Sequence, residues 1–186
     1  DASTNRGDTP TQLLLGHLPL LCSPSTERVL VIGYGSGMTV GAVLAHPEVR
    51  SVDTIELEQA VIAASPYFES INHRPLDDPR CHLVVEDGRL FLEESRARYD
   101  VITSEPSNPW MAGIANLFTT DFYREVRSHL RPGGVFAQWI QNYRISDQAF
   151  QTILASLHAE FPRLLVFQVN LGDFMVLAST EPISVP

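Results

Sequence analysis

The fold of this chain is decided by residues 28–58, which read RVLVIGYGSGMTVGAVLAHPEVRSVDTIELE. The first run, RVLVIG, is apolar on both faces and is therefore typical of a fully buried strand. A glycine-rich turn follows, and it leads into a helical pattern that ends before Pro47. A second strand-like run, SVDTIEL, contains the acidic residue Glu56 near its end. This order predicts a βαβ unit with a nucleotide-binding turn after its first strand.

The same alternation of strands and helices continues along the rest of the chain. Strand-like runs at 81–88, 99–105 and 133–140 are each followed by a helical run, whereas those at 163–168 and 173–180 are separated only by VNLG. Alternation predicts a mainly parallel sheet with helices on both faces, and the short connection predicts an antiparallel final hairpin. The fold expected is therefore α/β, the Rossmann-like class I S-adenosylmethionine-dependent methyltransferase fold. This fold is a three-layer sandwich around a seven-stranded, mostly parallel sheet with a reversed last strand.

Composition narrows the class of protein. The chain has 186 residues, of which 44% are hydrophobic and 19% charged, as in a globular domain. Its net charge of -9 argues against a nucleic-acid-binding face. Cys22 and Cys81 form no CxxC motif, and no cysteine-histidine cluster has metal-ligand spacing. We therefore expect reduced thiols and no bound metal.

The glycine-rich turn supplies the first candidate binding residues, Gly33, Gly35, Ser36 and Gly37. Glycines allow positive φ angles and let a ligand approach the backbone closely. The dinucleotide fingerprint GxGxxG is not met, because Met38 follows and the third glycine falls one place early. The GxGxG pattern suits ligands of the S-adenosylmethionine type, whose sulfonium arm carries no pyrophosphate. A tight strand-to-helix turn without a ligand is the alternative.

Two acidic positions at the next strand ends extend this candidate site. Glu56, at the end of the second strand, can accept hydrogen bonds from both hydroxyls of a ribose. Asp87 can accept from an adenine amino group, and Gly88 would let its loop pass close to the ring. The plainer interpretations are an exposed carboxylate and a turn-forming Asp-Gly pair. Three such features at three successive strand ends together predict an adenosine pocket.

The loop SEPSNPW, which follows the fourth strand, supplies candidates for the reacting end of the ligand. Glu105 could take a proton from an amine nucleophile or steer a cationic one. Asn108 offers an amide donor and acceptor without charge, and Trp110 could wall a substrate pocket. The alternative is a rigid surface loop with a buried tryptophan. Trp139 and Gln141, at the end of the fifth strand, are weaker candidates for an acceptor pocket or simply core residues.

The chain resembles the spermidine synthase (polyamine aminopropyltransferase) family over about residues 11 to 179. The blocks that carry the resemblance are VLVIGYGSG, the acid in DTIELE, DDPRCHLVVEDGRLFL, YDVITSEPSNPW and LFTTDFYREVRSHLRPGGVFAQW. The likeness is greatest to bacterial spermidine-synthase-like proteins, some of which are fused to membrane-transporter segments. In this family an amine attacks the aminopropyl carbon of decarboxylated S-adenosylmethionine and releases methylthioadenosine.

The resemblance implies roles for individual residues. Gln12 would contact the nucleotide, Glu56 the ribose, and Asp87 with Gly88 the adenine. Glu105 takes the place of the family's catalytic aspartate. The catalytic residue implied is therefore Glu105, and the substrate-binding residues are Glu105, Asn108 and Trp110.

Several positions depart from the family pattern. Ser36 stands where the family usually has an aspartate that receives the amino group of the aminopropyl arm. Glu105 is one methylene longer than the usual aspartate, and Asn108 is a neutral replacement of the aspartate that grips the diamine. Thr11 replaces a tyrosine that often lies beside the diamine. These changes argue against putrescine as the acceptor.

Three functional hypotheses follow. The leading one is a polyamine-biosynthesis transferase that uses decarboxylated S-adenosylmethionine as co-substrate and a small-molecule amine as acceptor. The first alternative, which Ser36 favours, is a methyltransferase that uses intact S-adenosylmethionine. The second, which the altered acidic loop favours, is a non-catalytic nucleotide-binding module of a larger protein.

We also expect a particular domain organisation. The chain begins DASTNRGD without a methionine, and we interpret it as part of a longer parent. Residues 1–12 would be the remnant of a truncated N-terminal strand region, 13–180 the nucleotide-binding catalytic domain, and 181–186 a tail. The family suggests a homodimer. The expected location is the cytoplasm, with any membrane segments of the parent outside this chain.

Overall fold

Strands and helices alternate along the residues that the computed structural model describes, 7–106 and 113–185. The strands are β1 (Arg28–Ile32), β2 (Ser51–Glu56), β3 (Cys81–Val85), β4 (Tyr99–Ser104), β5 (Leu130–Gln141), β6 (Arg163–Gln168) and β7 (Asp173–Ser179). The α-helices are α1 (Thr9–Cys22), α2 (Met38–Leu44), α3 (Gln59–Ala64), α4 (Glu69–Asn72), α5 (Gly88–Glu94), α6 (Thr120–His129) and α7 (Asp147–Glu160). Short 3₁₀ turns occupy Ser65–Phe68, Pro75–Asp77 and Ile114–Phe118.

The seven strands form one sheet in the order β3-β2-β1-β4-β5-β7-β6. Strands β1 to β5 pair in parallel with one another, and β7 runs antiparallel to both β5 and β6. The predicted seven-stranded sheet with a reversed last strand is therefore confirmed. After β3 the chain returns across the sheet to place β4 beside β1, so the strand order reverses between β1 and β4. Such a switch point leaves a crevice at the carboxyl ends of the strands.

The core lies on both faces of the sheet. In β1, Leu30 and Ile32 pack on one face, with the side chains of α5, α6 and α7. Val29 and Val31 pack on the other face, with the side chains of α2. This two-sided burial explains why the strand is apolar throughout. It also confirms the predicted three-layer arrangement.

Prolines lie at the start of α1 and just after the end of α3. Helix α1 begins at Thr9, so residues 9–12 are helical although the sequence assigned them to the N-terminal segment. Pro10 lies in its first turn, where a helix does not need the missing N–H group. The sequence over 58–72 predicts a helix with a possible break at Pro66, and α3 does give way there to the 3₁₀ turn Ser65–Phe68. None of the described helices is long and apolar enough to cross a membrane.

Helices α1 and α2 touch at a glycine near the crevice. A Cβ atom at Gly16 would lie 2.5 Å from the Cβ of Ala42 and 2.8 Å from the carbonyl oxygen of Thr39. The close approach brings the Thr39 hydroxyl oxygen to 3.0 Å from the carbonyl oxygen of Gln12. The contact between these helices therefore sets the distance between Gln12 and Thr39, the residue that hydrogen-bonds to Glu105.

We expect the substitution Gly16→Ala to lower the free energy of unfolding by about 1–2 kcal/mol. Alanine gains up to about 1 kcal/mol in helix propensity, but overpacking against a backbone oxygen costs about 1–3 kcal/mol. Urea denaturation measures the difference. Gln151→Ala, on the exposed face of α7, is the control for an alanine substitution in a helix without a steric contact. A Gly16→Ala protein as stable as the wild type would contradict the tight helix contact.

Candidate active site

A cavity of about 390 Å³ lies at the carboxyl ends of β1, β2, β3 and β4. It lies at the switch point between β1 and β4, where the fold class predicts a ligand. The backbone ladder continues one residue past three of the strands, which aligns the strand ends. Gly33 N donates to Ile55 O at 2.8 Å, Glu86 N to Glu56 O at 3.0 Å, and Glu105 N to Ile32 O at 2.9 Å. The lining residues include Gly33, Gly35, Glu56, Glu58, Glu86, Asp87, Gly88, Arg89, Glu105, Asn116 and the apolar residues Ile32, Ile55, Leu57, Val61, Ile114 and Leu117.

The glycine turn forms one wall of the cavity. Gly33, Gly35 and Gly37 have φ angles of 96°, 55° and 80°, a region that favours glycine. A Cβ atom at Gly33 would lie 2.7 Å from the carbonyl oxygen of Glu105. Position 33 therefore requires glycine for its conformation and for its contact with β4. Gly33 and Gly35 line the cavity, whereas Gly37 precedes the first turn of α2.

Three backbone amides hold the Glu56 carboxylate in place. Its Oε2 atom accepts from Tyr34 N at 3.0 Å and from Gly35 N at 3.3 Å. Its Oε1 atom accepts from Glu58 N at 3.0 Å. A carboxylate has about four acceptor sites, so each oxygen retains capacity for a ligand. The side chain lines the cavity in one fixed orientation, which suits a ligand with two adjacent hydroxyl groups.

Asp87 begins helix α5 and also lines the cavity. Its Oδ1 atom accepts from Arg89 N at 2.8 Å and from Leu90 N at 3.2 Å, which makes it the N-cap. A Cβ atom at Gly88 would lie 2.5 Å from Cγ2 of Ile32, so the glycine lets α5 begin directly against β1. One carboxylate oxygen of Asp87 therefore caps the helix, in agreement with the turn-forming interpretation. Both residues nevertheless lie at the rim where the sequence predicted them.

Glu105 is the most deeply buried acid at the site. It is only 3% exposed, and its Oε2 atom accepts from the Thr39 hydroxyl at 2.6 Å. Its Oε1 atom has no hydrogen-bond partner among the described residues. Burial raises the pKa of Glu105 from 4.5 to about 7, the Thr39 hydrogen bond lowers it, and the negative charges of Glu56 and Asp8 raise it further. The carboxyl group is therefore able to exchange a proton near neutral pH.

Some predicted site residues do not line this cavity. Gln12 and Ser36 are fully buried, and the Ser36 hydroxyl donates to Oε1 of Gln12 at 2.5 Å. The Ser36 carbonyl accepts from the Asn72 amide at 2.9 Å. In this structure these groups join the glycine turn to α1 and α4, so contact of Gln12, Ser36 and Gly37 with a nucleotide stays a prediction. Asn108 and Trp110 lie outside the described residues.

The two weaker candidates on β5 have different surroundings. Trp139 is buried, and its indole N–H donates to Oδ1 of Asp173 at 2.9 Å. It packs in the core with residues such as Leu15 and Met175, as the plainer interpretation predicted. Gln141 is buried, and its Oε1 atom has no partner among the described residues.

Sequence reasoning missed several residues of the site. The sequence did not indicate a role for Thr39, because a threonine in the first turn of a helix does not by itself predict binding or catalysis. Ile114 and Leu117 add an apolar wall from the 3₁₀ turn before α6, a segment without a strong periodic pattern. Within the described residues, no group of three or more histidine, cysteine or acidic side chains is placed to hold a metal ion.

Comparison with known proteins identifies the family. The family model for the spermine/spermidine synthase domain matches residues 9–175. The chain belongs to this family. It is 31% identical over 161 residues to a polyamine aminopropyltransferase of Bacillus mycoides and 29% identical over 161 residues to one of Bacillus subtilis. Both matches cover 87% of this chain, which spans only 58% of the length of each relative.

Solved structures agree with this assignment. A spermidine synthase in complex with the transition state analogue AdoDATO superposes with a TM-score of 0.85 and 25% identity, over 94% of this chain and 61% of that one. The spermidine synthase of Thermotoga maritima superposes with a TM-score of 0.82 and 26% identity, over 94% and 60% of the two chains. Human methyltransferase-like protein 13, in complex with SAH, has a TM-score of 0.72 and 21% identity over 97% of this chain and 84% of that one. This last likeness concerns the fold, which is confirmed as the Rossmann-like class I methyltransferase fold.

The raised pKa of Glu105 predicts a pH-dependent stability. Between 4.5 and about 7 the native state retains a proton that the unfolded chain has lost, so stability falls as the pH rises through this window. We expect Glu105→Gln to raise the free energy of unfolding at pH 8 by about 1–3 kcal/mol. At pH 4, where the carboxyl is neutral in both states, we expect no such gain.

Urea denaturation at the two pH values measures this effect. Glu94→Gln, at an exposed position in α5, removes a carboxylate outside the cavity and serves as the control. Equal effects of Glu105→Gln at pH 4 and pH 8 would show that Glu105 titrates as an ordinary exposed acid.

Proposed function

We propose that this chain binds decarboxylated S-adenosylmethionine and transfers its aminopropyl group to a small-molecule amine. The observation that carries the proposal is the convergence of Glu56, Asp87 and Glu105 on one cavity beside the glycine turn. Membership of the spermine/spermidine synthase family supports the same reaction. We propose three things: the identity of the co-substrate, the class of the acceptor and the catalytic activity.

The cavity has the features that an adenosine moiety requires. Glu56 presents two fixed carboxylate oxygens, which suit the two ribose hydroxyls. Asp87 has a second carboxylate oxygen beyond the one that caps α5, and this oxygen would accept from the adenine amino group. Ile55, Ile114 and Leu117 supply apolar surface for the ring.

The charges of the cavity favour the decarboxylated form of the ligand. Five of the lining residues are acidic: Glu56, Glu58, Glu86, Asp87 and Glu105. Arg89 is the cationic residue among the described lining residues, and its guanidinium donates to Glu93 at 2.9 Å. An acidic cavity attracts the sulfonium and a free ammonium group, whereas it repels the carboxylate of intact S-adenosylmethionine.

Glu105 would act on the acceptor amine. The amine nitrogen attacks the carbon next to the sulfonium, the carbon–sulfur bond breaks with its electron pair going to sulfur, and neutral methylthioadenosine leaves. The new ammonium then gives a proton to the ionised Glu105. A carboxyl whose pKa is near 7 suits this exchange. Because the sulfonium is already a good leaving group, in-line positioning would supply most of the rate.

A methyltransferase that uses intact S-adenosylmethionine is the second candidate. The observation that favours it concerns Ser36, which is neutral and whose hydroxyl donates to Gln12. The position therefore supplies no charged group for the ammonium of an aminopropyl arm. A nucleotide-binding module without turnover is the third candidate, and it is separated from the others by an assay for transfer.

We also propose, from the family resemblance, that the protein acts in the cytoplasm as a homodimer. Cys22 and Cys81 are free thiols, as expected in a reducing compartment. Any membrane segment of a longer parent would lie outside this chain. Sedimentation of the full-length protein tests the dimer.

Calorimetric titration tests the proposed ligand. We expect decarboxylated S-adenosylmethionine to bind more tightly than intact S-adenosylmethionine, and Glu56→Ala to weaken its binding by about 10-fold to 100-fold, because a hydrogen-bonded charged partner is lost. Glu94→Ala is the matched control outside the cavity. Tighter binding of the intact form would favour the methyltransferase, and equal affinities of the Glu56→Ala and wild-type proteins would contradict the assigned ribose position.

An assay with a labelled aminopropyl group separates catalysis from binding. The protein is incubated with the labelled nucleotide and a panel of monoamines and diamines. Formation of methylthioadenosine together with a labelled amine supports aminopropyl transfer. Binding without any labelled product would favour the non-catalytic module.

A further inference from the structure

Thr39 contacts both Glu105 and helix α1. The residue lies in the first turn of α2 and is fully buried. Its hydroxyl oxygen is 2.6 Å from Oε2 of Glu105 and 3.0 Å from the carbonyl oxygen of Gln12. One side chain therefore joins the proposed catalytic acid to the first helix.

The number of hydrogens decides how these contacts are made. A threonine hydroxyl carries one hydrogen and has two acceptor positions. If Glu105 is ionised, that hydrogen must serve either the carboxylate or the Gln12 carbonyl, and one of the two short contacts lacks a hydrogen. If Glu105 carries its proton on Oε2, it donates to Thr39, and Thr39 donates to Gln12. In the neutral state both contacts are hydrogen bonds between uncharged groups, whereas in the ionised state Thr39 makes one stronger, charge-assisted hydrogen bond to the carboxylate.

We propose that Thr39 is a positioning residue that fixes Oε2 of Glu105, donates to that atom when the acid is ionised, and leaves Oε1 available to the acceptor amine. The inference rests on the proposed function only for the identity of the group that meets Oε1. Because Oε1 has no partner among the described residues and Glu105 lines the cavity, this atom is the one that a ligand would complete. Once the proton leaves to solvent, the single hydrogen of Thr39 turns to the carboxylate and stabilises the base.

The charges around Glu105 make this hydrogen bond important. Glu56, at the end of β2, and Asp8, just before α1, are carboxylates that oppose ionisation of Glu105, and burial opposes it more strongly. The Thr39 hydroxyl favours the ionised form, because a hydrogen bond to a charged oxygen is stronger than one to a neutral oxygen. Loss of this hydroxyl therefore makes the base available only at higher pH.

Carbon-13 NMR of the free protein, labelled at the side-chain carboxyl of glutamate, tests the proposal directly. The Glu105 signal is assigned as the one that disappears in Glu105→Gln. We expect Thr39→Val, which keeps the shape and removes the hydroxyl, to move the titration midpoint of Glu105 upward by about one pH unit or more. Thr39→Ser restores the hydroxyl, and its midpoint should lie close to that of the wild type.

An unchanged midpoint in Thr39→Val, or an upward shift that Thr39→Ser shares, would overturn the proposal. If Thr39→Val does not fold, Thr39→Ala removes the same hydroxyl with less bulk and gives the same comparison. The experiment needs no substrate, so its result is independent of aminopropyl transfer. A protein that binds nucleotide but transfers nothing would contradict the proposed function, while the titration would still decide the role of Thr39.

Discussion

The pairing of β1 with β4 is the constraint on which the site depends. Glu105 N donates to Ile32 O at 2.9 Å, and the absence of a side chain at Gly33 lets the Glu105 carbonyl approach the turn. These contacts place an acid from the fourth strand directly beside the glycine turn of the first. The parallel pairing of β1 with β2 then brings Glu56 to the same rim. The cavity is therefore a consequence of strand order rather than of any single motif.

Burial of Glu105 destabilises the folded protein when the acid is charged, but it also gives the carboxyl group the pKa that its proposed role requires. A carboxyl group that is almost fully enclosed is destabilised in its charged form, and no cation among the described residues forms an ion pair with it. Its neighbours are instead the Thr39 hydroxyl and other acids. Such an arrangement stabilises the chain poorly at high pH, yet it holds a proton that can be exchanged near neutral pH. Sites that sacrifice stability in this way are often functional.

The sequence predicted the fold well because its signals are local and repeated. Apolar strands, glycine turns and helix caps such as Ser146, whose hydroxyl accepts from Ala149 N, each act within a few residues. It also placed Glu56, Asp87 and Glu105 correctly at strand ends. It did not reveal Thr39, because the role of Thr39 depends on how closely α1 approaches α2. Nor did it predict the hydrogen bond between Ser36 and Gln12, because the two residues are far apart along the chain.

We propose that the rim formed by Glu56, Asp87 and Glu105 binds the adenosine half of a sulfonium nucleotide. A crystal structure of the protein with methylthioadenosine would test it most directly. We expect both ribose hydroxyls on the Glu56 carboxylate, the adenine amino group at Asp87, and the thioether facing Glu105. A nucleoside bound elsewhere, or bound in this cavity without its ribose on Glu56, would contradict it.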